Sequence, residues 1–122
     1  MSPDPVKRAF LVVDDEPFVR MDLAELVREC GLEAYEAGST SEALAVLERA
    51  AESFSGLITD VNMPGSRSGF VLANHVRVVW PHIRIIVVSA GRKPLTGELP
   101  ADTAFIAKPW NQDALSAAIG GI

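Results

Sequence analysis

Residues 9–15 read AFLVVDD, five apolar residues followed at once by two carboxylates. A continuous apolar run of this kind is typical of a parallel strand, because both faces of such a strand are covered by other elements. The run therefore predicts a first strand at Ala9–Val13. Asp14 and Asp15 then lie at the carboxyl end of that strand.

Strand and helix signals alternate along the rest of the chain. Pro17 opens an amphipathic helix that Gly31 ends, and the capping-box spacing of Ser39 and Glu42 opens a second helix that ends near Glu52. Further strands are predicted at Glu33–Ala37 and at residues 56–60, 83–88 and 104–107. A third helix, which ends before Trp80-Pro81, is marked by Leu72, His75, Val76 and Val79. A short last helix is predicted around residues 112–119. The alternation predicts a doubly wound, flavodoxin-like α/β fold, a five-stranded parallel sheet in the order 2-1-3-4-5.

The segment between the fourth and fifth strands breaks the alternation. Residues 91–102 contain glycines and prolines spaced three apart: Gly91, Pro94, Gly97 and Pro100. Inside a helix, glycine costs about 1 kcal/mol and proline about 3 kcal/mol relative to alanine. We therefore expect a loop with at most one helical turn around residues 95–99, so that the fourth helix is short or missing.

Composition limits the possible classes of function. The 122 residues predict a single domain over residues 1–122, with its core at about residues 7–120. The net charge of −5 argues against direct binding to nucleic acid or to an anionic membrane. Cys30 has no second cysteine to pair with, no apolar run is long enough to span a bilayer, and residues 1–7 lack a signal-peptide core. These features predict a cytoplasmic protein.

Side chains that can bind a ligand or take part in a reaction follow four of the strands. They are Asp14 and Asp15 after the first, Asp60 after the third, Ser89 after the fourth and Lys108 after the fifth. Ligands of doubly wound sheets bind at the carboxyl ends of the strands, where the winding reverses. Three carboxylates converging there repel each other unless a cation neutralises them, and Mg²⁺ prefers such oxygen ligands. With a hydroxyl and an ammonium nearby, the set predicts phosphoryl transfer onto an aspartate.

With these motifs, over about residues 7–120, the chain resembles the CheY-like receiver domain of two-component response regulators. The resemblance is carried by Asp14-Asp15, by Asp60 in the sequence DVNMP, by Ser89-Ala90 and by Lys108-Pro109. Two places depart from the family pattern. The glycine of the acceptor loop, Gly69, stands one residue late, and Trp110 replaces the usual Phe or Tyr after Lys-Pro.

The resemblance implies a role for each of these residues. Asp60 would be the phosphoacceptor, with Lys108 and Ser89 as its catalytic partners. The metal ion, Mg²⁺ or Mn²⁺, would be held by Asp14, Asp15, Asp60 and the backbone carbonyl of Asn62. Ser89 and Phe105 would form the switch, the hydroxyl turning toward the phosphoryl group and the ring moving inward.

The resemblance also implies partners. A histidine kinase or a histidine phosphotransfer protein would donate the phosphoryl group, and an unknown downstream protein would read the altered surface. The protein would promote its own phosphorylation and dephosphorylation as a signalling switch, not as a metabolic enzyme. It would be a stand-alone regulator, a relay intermediate or a piece of a longer protein; after Lys108 only 14 residues remain, too few for an output domain.

Other readings fit less well. A hydrolase built on Asp60 would need a second acid two residues on, where the chain has Asn62. A Ser89/Lys108 acyl-transfer pair would need a nucleophile turn and an oxyanion hole, and a flavin or nucleotide module would need a glycine-rich loop after the first strand. His75, placed on the apolar face of the third helix, and His82 have no partner at metal-ligand spacing, and Cys30 is expected to be a small buried hydrophobe.

Overall fold

The computed structural model describes residues 9–60, 69–90 and 103–120. In these ranges strands and helices alternate. The strands are β1 (Ala9–Val13), β2 (Glu33–Ala37), β3 (Phe54–Thr59), β4 (Arg84–Ser89) and β5 (Ala104–Ala107). The helices are α1 (Pro17–Glu29), α2 (Thr40–Ala50), α3 (Gly69–Val79) and α4 (Gln112–Gly120), and a 3₁₀ turn, Ala51–Ser53, joins α2 to β3.

The strands form one parallel sheet in the order β2-β1-β3-β4-β5. Alternate residues of the central strands face opposite sides, so that Leu11 and Leu57 pack with α2 and α3 while Val12 and Ile58 pack with α1 and α4. All of β1 is buried, as its unbroken apolar run predicts. The doubly wound α/β fold and its strand order are therefore confirmed.

The helix ends follow the local sequence signals. Pro17 is the first residue of α1, and beyond its end Gly31 has a φ of 85°, a conformation that glycine adopts without strain. The Ser39 hydroxyl accepts a hydrogen bond from the Glu42 amide at 3.1 Å. The carboxylate of Glu42 returns to the Gly38 amide at 3.2 Å, one residue before the cap. The predicted cap of α2 is thus confirmed, with a shifted reciprocal bond.

Two predictions about individual side chains are wrong. The buried residues of α3 are Gly69, Leu72, Ala73 and Val76, and this spacing leaves His75 exposed, with its ring packed edge-on against Trp80 at a centroid distance of 5.7 Å. Cys30 is only half-buried, because it follows the last turn of α1.

Two further expectations concern parts of the chain beyond this description. The loop expected at residues 91–102 and the carbonyl of Asn62 lie outside the described residues. No helix in the described ranges combines the length and the apolar character needed to span a lipid bilayer.

Gly56 of β3 lies next to Phe10 of β1, with which it pairs in the sheet. A Cβ atom at Gly56 would overlap the ring of Phe10, which is itself buried. We therefore expect Gly56→Ala to lower the free energy of unfolding by about 1–3 kcal/mol, the usual cost of overpacking a core. Urea denaturation measures this loss.

The matched control is Phe10→Leu, which removes the ring that the new methyl group meets. In the Phe10→Leu background, Gly56→Ala should cost clearly less than in the wild type, because contacting residues do not act additively. An equal loss in both backgrounds would show that the Phe10 ring does not explain why glycine stands at this position.

Candidate functional site

Three main-chain hydrogen bonds extend the sheet by one residue past its strands and fix the predicted site. The Asp14 amide donates to the last residue of β2 at 3.2 Å, and the Asp60 amide donates to Val13 of β1 at 3.2 Å. The Lys108 amide donates to the carbonyl of Ser89 at 3.0 Å. Asp14, Asp60 and Lys108 therefore start from backbone positions that the sheet register sets.

The side chains of these residues form one ion-paired cluster. The Nζ atom of Lys108 lies 2.8 Å from Oδ2 of Asp60 and 3.2 Å from Oδ2 of Asp14. Asp14 is completely buried and Asp60 is 7% exposed. Buried carboxylates are costly unless an opposite charge and hydrogen bonds compensate them. Counted over the described residues alone, a single ammonium shared by two carboxylates leaves this cluster one positive charge short.

The pKa values of two members reflect this arrangement. Burial raises the pKa of Asp14, and neither the Glu16 amide, which donates to its Oδ1 at 2.9 Å, nor the nearby Lys108 fully offsets that effect. Burial alone would lower the pKa of Lys108. The hydrogen bond to Asp60 and the charges of both carboxylates outweigh burial, so that the pKa of Lys108 lies above its ordinary value. Lys108 is therefore charged at neutral pH.

The third carboxylate does not join the cluster. Asp15 follows Asp14 directly but is exposed. Within residues 9–60, 69–90 and 103–120, no group of three or more acidic, histidine or cysteine side chains is arranged to hold a metal ion. Lys108 pairs with Asp14 and Asp60, and the expectation that Asp15 joins these two carboxylates around a metal ion stays a prediction. The Lys108 ammonium lies within ion-pair distance of both Asp14 and Asp60.

The expected switch residues lie beside the cluster. Ser89, the last residue of β4, is 1% exposed, and its hydroxyl donates to the Ala90 carbonyl at 3.1 Å. Phe105 of β5 is half-buried and packs on the α2 and α3 side of the sheet. Trp110 is also half-buried but packs on the α1 and α4 side. Ser89 thus contacts Lys108 through its backbone carbonyl, and Phe105 lies on the neighbouring strand β5.

Arg20 and Glu36 also belong to this edge of the sheet, although no motif predicts them. Arg20 of α1 donates through Nη1 to the main-chain carbonyl of Asp14 at 2.8 Å. Its Nε donates to Oε1 of Glu36 on β2 at 3.0 Å. Their sequence signal is an arginine early in a helix and an acid in a short edge strand, a combination too common to indicate a site.

Comparisons with known proteins identify the family to which this chain belongs. The family model "Response regulator receiver domain" matches residues 10–120. The sensor kinase CckA of Brucella abortus is 31% identical over 112 residues, which are 89% of this chain and 12% of the kinase. The transcriptional regulatory protein PdtaR of Mycobacterium tuberculosis is 34% identical over 120 residues, 93% of this chain and 56% of the regulator.

The chain thus spans less than two thirds of the length of either curated relative. Among solved structures, a response regulator receiver domain protein of Clostridium thermocellum superposes with a TM-score of 0.79 at 25% identity, and the match covers 93% of this chain and 92% of that one. A family match across nearly the whole length, on a sheet of the same topology, makes this chain a member of the response regulator receiver domain family.

Proposed function

We propose that this receiver domain accepts a phosphoryl group on Asp60 from a phosphohistidine donor, with Mg²⁺ or Mn²⁺ bound, and so switches a surface that another protein reads. The observation that carries the proposal is the Lys108 ammonium held 2.8 Å from Asp60 and 3.2 Å from Asp14. A fixed cation beside a carboxylate at the ligand-binding edge of the sheet suits the charge of a transferred phosphoryl group.

Asp60 has the position of a nucleophile. It lies at the carboxyl edge of β3 and keeps 7% of its surface exposed, whereas Asp14 has none. Attack of an Asp60 carboxylate oxygen on phosphorus forms the acyl phosphate and breaks the phosphorus–nitrogen bond of the donor, whose imidazole leaves. Lys108 stays beside the new group and neutralises part of its charge.

The residues around Asp60 fit a hard divalent cation. The donor atoms are carboxylate oxygens, and the cluster is one positive charge short. Asp14, Asp15 and Asp60, with the carbonyl of Asn62, would hold the ion. The ion would supply positive charge to the phosphoryl oxygens during transfer. Because Lys108 contacts Asp14 at the longer of its two distances, we expect it to release Asp14 to the metal and to keep Asp60.

The proposed switch uses Ser89 and Phe105. The Ser89 hydroxyl donates to the carbonyl of Ala90, a neutral acceptor that a phosphoryl oxygen would replace with a charged and stronger one. Ser89 pairs with Ala107 across β4 and β5, and Phe105 is two residues earlier on β5. The ring is half-buried, and in the proposed switch it moves inward as the hydroxyl turns.

The proposed partners follow from the chemistry of the transfer. The donor is a histidine kinase or a histidine phosphotransfer protein, and a similar sequence occurs in a sensor kinase. The output is an unidentified downstream protein; neither nucleic acid nor a membrane is a proposed direct partner. Self-phosphorylation from small phosphodonors and hydrolysis of the acyl phosphate would accompany signalling, since the site carries its own charge-neutralising groups.

The acceptor assignment is tested by phosphorylation in vitro. We expect incubation with acetyl phosphate and Mg²⁺ to add the mass of one phosphoryl group, and Asp60→Asn to abolish that adduct because the amide is a poor nucleophile. Intact-protein mass spectrometry measures both. Asp113→Asn, which changes an exposed acid in the first turn of α4, is the control and should keep the adduct. A full-yield adduct on Asp60→Asn would refute the assignment.

The role of Lys108 is tested by its removal. We expect Lys108→Ala to bind Mg²⁺ more tightly than the wild type, because the substitution removes a cation 3.2 Å from the Asp14 carboxylate. The same variant should lose the change in amide exchange that a phosphoryl mimic causes in the wild type. Calorimetry and hydrogen exchange measure the two effects.

Arg49→Ala is the matched control for charge, because Arg49 is an exposed cation in the last turn of α2. It should leave both measurements unchanged. Weaker Mg²⁺ binding by Lys108→Ala, or an unaltered exchange response, would contradict the proposed role.

A further inference from the structure

Arg20 connects three elements at the acidic edge of the sheet. It belongs to α1, donates to the carbonyl of Asp14 just past β1 at 2.8 Å, and pairs with Glu36 of β2 at 3.0 Å. The side chains of Arg20 and Glu36 are only 21% and 30% exposed. The bidentate shape of the guanidinium allows one side chain to hold both partners at fixed angles.

The carbonyl that Arg20 binds has a particular place in the site. It belongs to the peptide unit that joins Asp14 to Asp15, so its orientation sets the direction in which the chain enters Asp15. Asp14 is further held by its own amide and by the Glu16 amide on its Oδ1. Asp15 is exposed and gains no fixed position from core packing. The peptide plane before Asp15 therefore helps to set its position.

The surroundings of Arg20 accommodate the guanidinium. A Cβ atom at Gly38 would lie 3.2 Å from Nη1 of Arg20, closer than nearly all real Cβ contacts. Glycine at this position leaves the space that the arginine fills. Glu36 then orients the group and offsets its charge, which would otherwise oppose a cation bound near Asp14.

We propose that Arg20, oriented by Glu36, is a positioning residue that fixes the Asp14–Asp15 peptide for cation binding. This inference rests on the proposed function, in which those two acids hold Mg²⁺. Electrostatics and positioning predict opposite results when Arg20 is removed. Loss of a nearby positive charge alone would strengthen Mg²⁺ binding, whereas loss of the peptide restraint weakens it.

The test is Mg²⁺ titration by calorimetry of the metal-free protein, comparing Arg20→Met with the wild type. We expect about tenfold weaker binding, the lower end of the range for residues that orient metal ligands. Arg28→Met is the matched control: Arg28 lies on the same helix, carries the same charge and donates to the Ala34 carbonyl of β2 at 3.1 Å. That variant should bind Mg²⁺ as the wild type does. Urea denaturation checks that the two variants are comparably stable.

A second readout does not depend on the metal. In metal-free protein, Arg20→Met should shift the amide nuclear magnetic resonance signal of Asp15, whose peptide loses its hydrogen bond, and Arg28→Met should not. Arg20→Lys should restore part of the affinity, since an ammonium can still donate to the Asp14 carbonyl.

Three outcomes are decisive. Unchanged or tighter Mg²⁺ binding by Arg20→Met, with a binding wild type, would overturn the role of Arg20 and leave the proposed function standing. Equal weakening in both arginine variants would also overturn it, because the effect would then belong to α1 in general. A wild type that binds no Mg²⁺ would refute the proposed metal site, and the role of Arg20 with it.

Discussion

Two buried carboxylates at one edge of a parallel sheet require a cation, and in this protein Lys108 provides it. The ammonium lies between Asp14 and Asp60, which start from the neighbouring strands β1 and β3. Lys108 itself follows β5, at the other side of β4. The cluster therefore exists only when these strands are paired in register, and it links the central strands of the sheet to its edge. The cost of leaving either carboxylate unpaired favours that arrangement.

The same interaction leaves the site poised for a ligand. One ammonium balances the charge of only one carboxylate, so in the proposed function the cluster would attract a further cation, and that cation would favour an incoming phosphoryl group. The pKa of Asp14 is raised by burial while that of Lys108 is raised by its acidic partners. Lys108 is thus charged beside its two carboxylates, as its proposed role beside a phosphoryl group requires.

Much of this fold could be predicted from the sequence, because local patterns determine it. The apolar run of β1, the cap at Ser39 and the glycine at Gly31 each act over a few residues, and the structure confirms them. The predictions that failed concern which face of a helix a side chain occupies and how deeply it is buried. His75 has an apolar sequence neighbourhood, yet the exact phase of α3 places it outside the core.

The residues of the site could be predicted from the sequence, but the contacts between their side chains could not. Strand ends indicated Asp14, Asp60 and Lys108, since parallel strands end at a common edge. That Asp15 stands apart from the ion pair, and that Arg20 binds the Asp14 carbonyl, depends on side-chain rotamers and on contacts between distant segments. A linear pattern does not encode these. The roles of the predicted residues in phosphoryl transfer rest on chemistry, which a structure of the activated state tests.

That structure is a crystal structure of the protein with Mg²⁺ and beryllofluoride, which mimics an acyl phosphate. The account predicts beryllium bonded to a carboxylate oxygen of Asp60, with Lys108 beside a fluorine atom and withdrawn from the 3.2 Å contact with Asp14. Beryllofluoride bound elsewhere, or Lys108 still bridging both carboxylates with Asp60 unmodified, would contradict it.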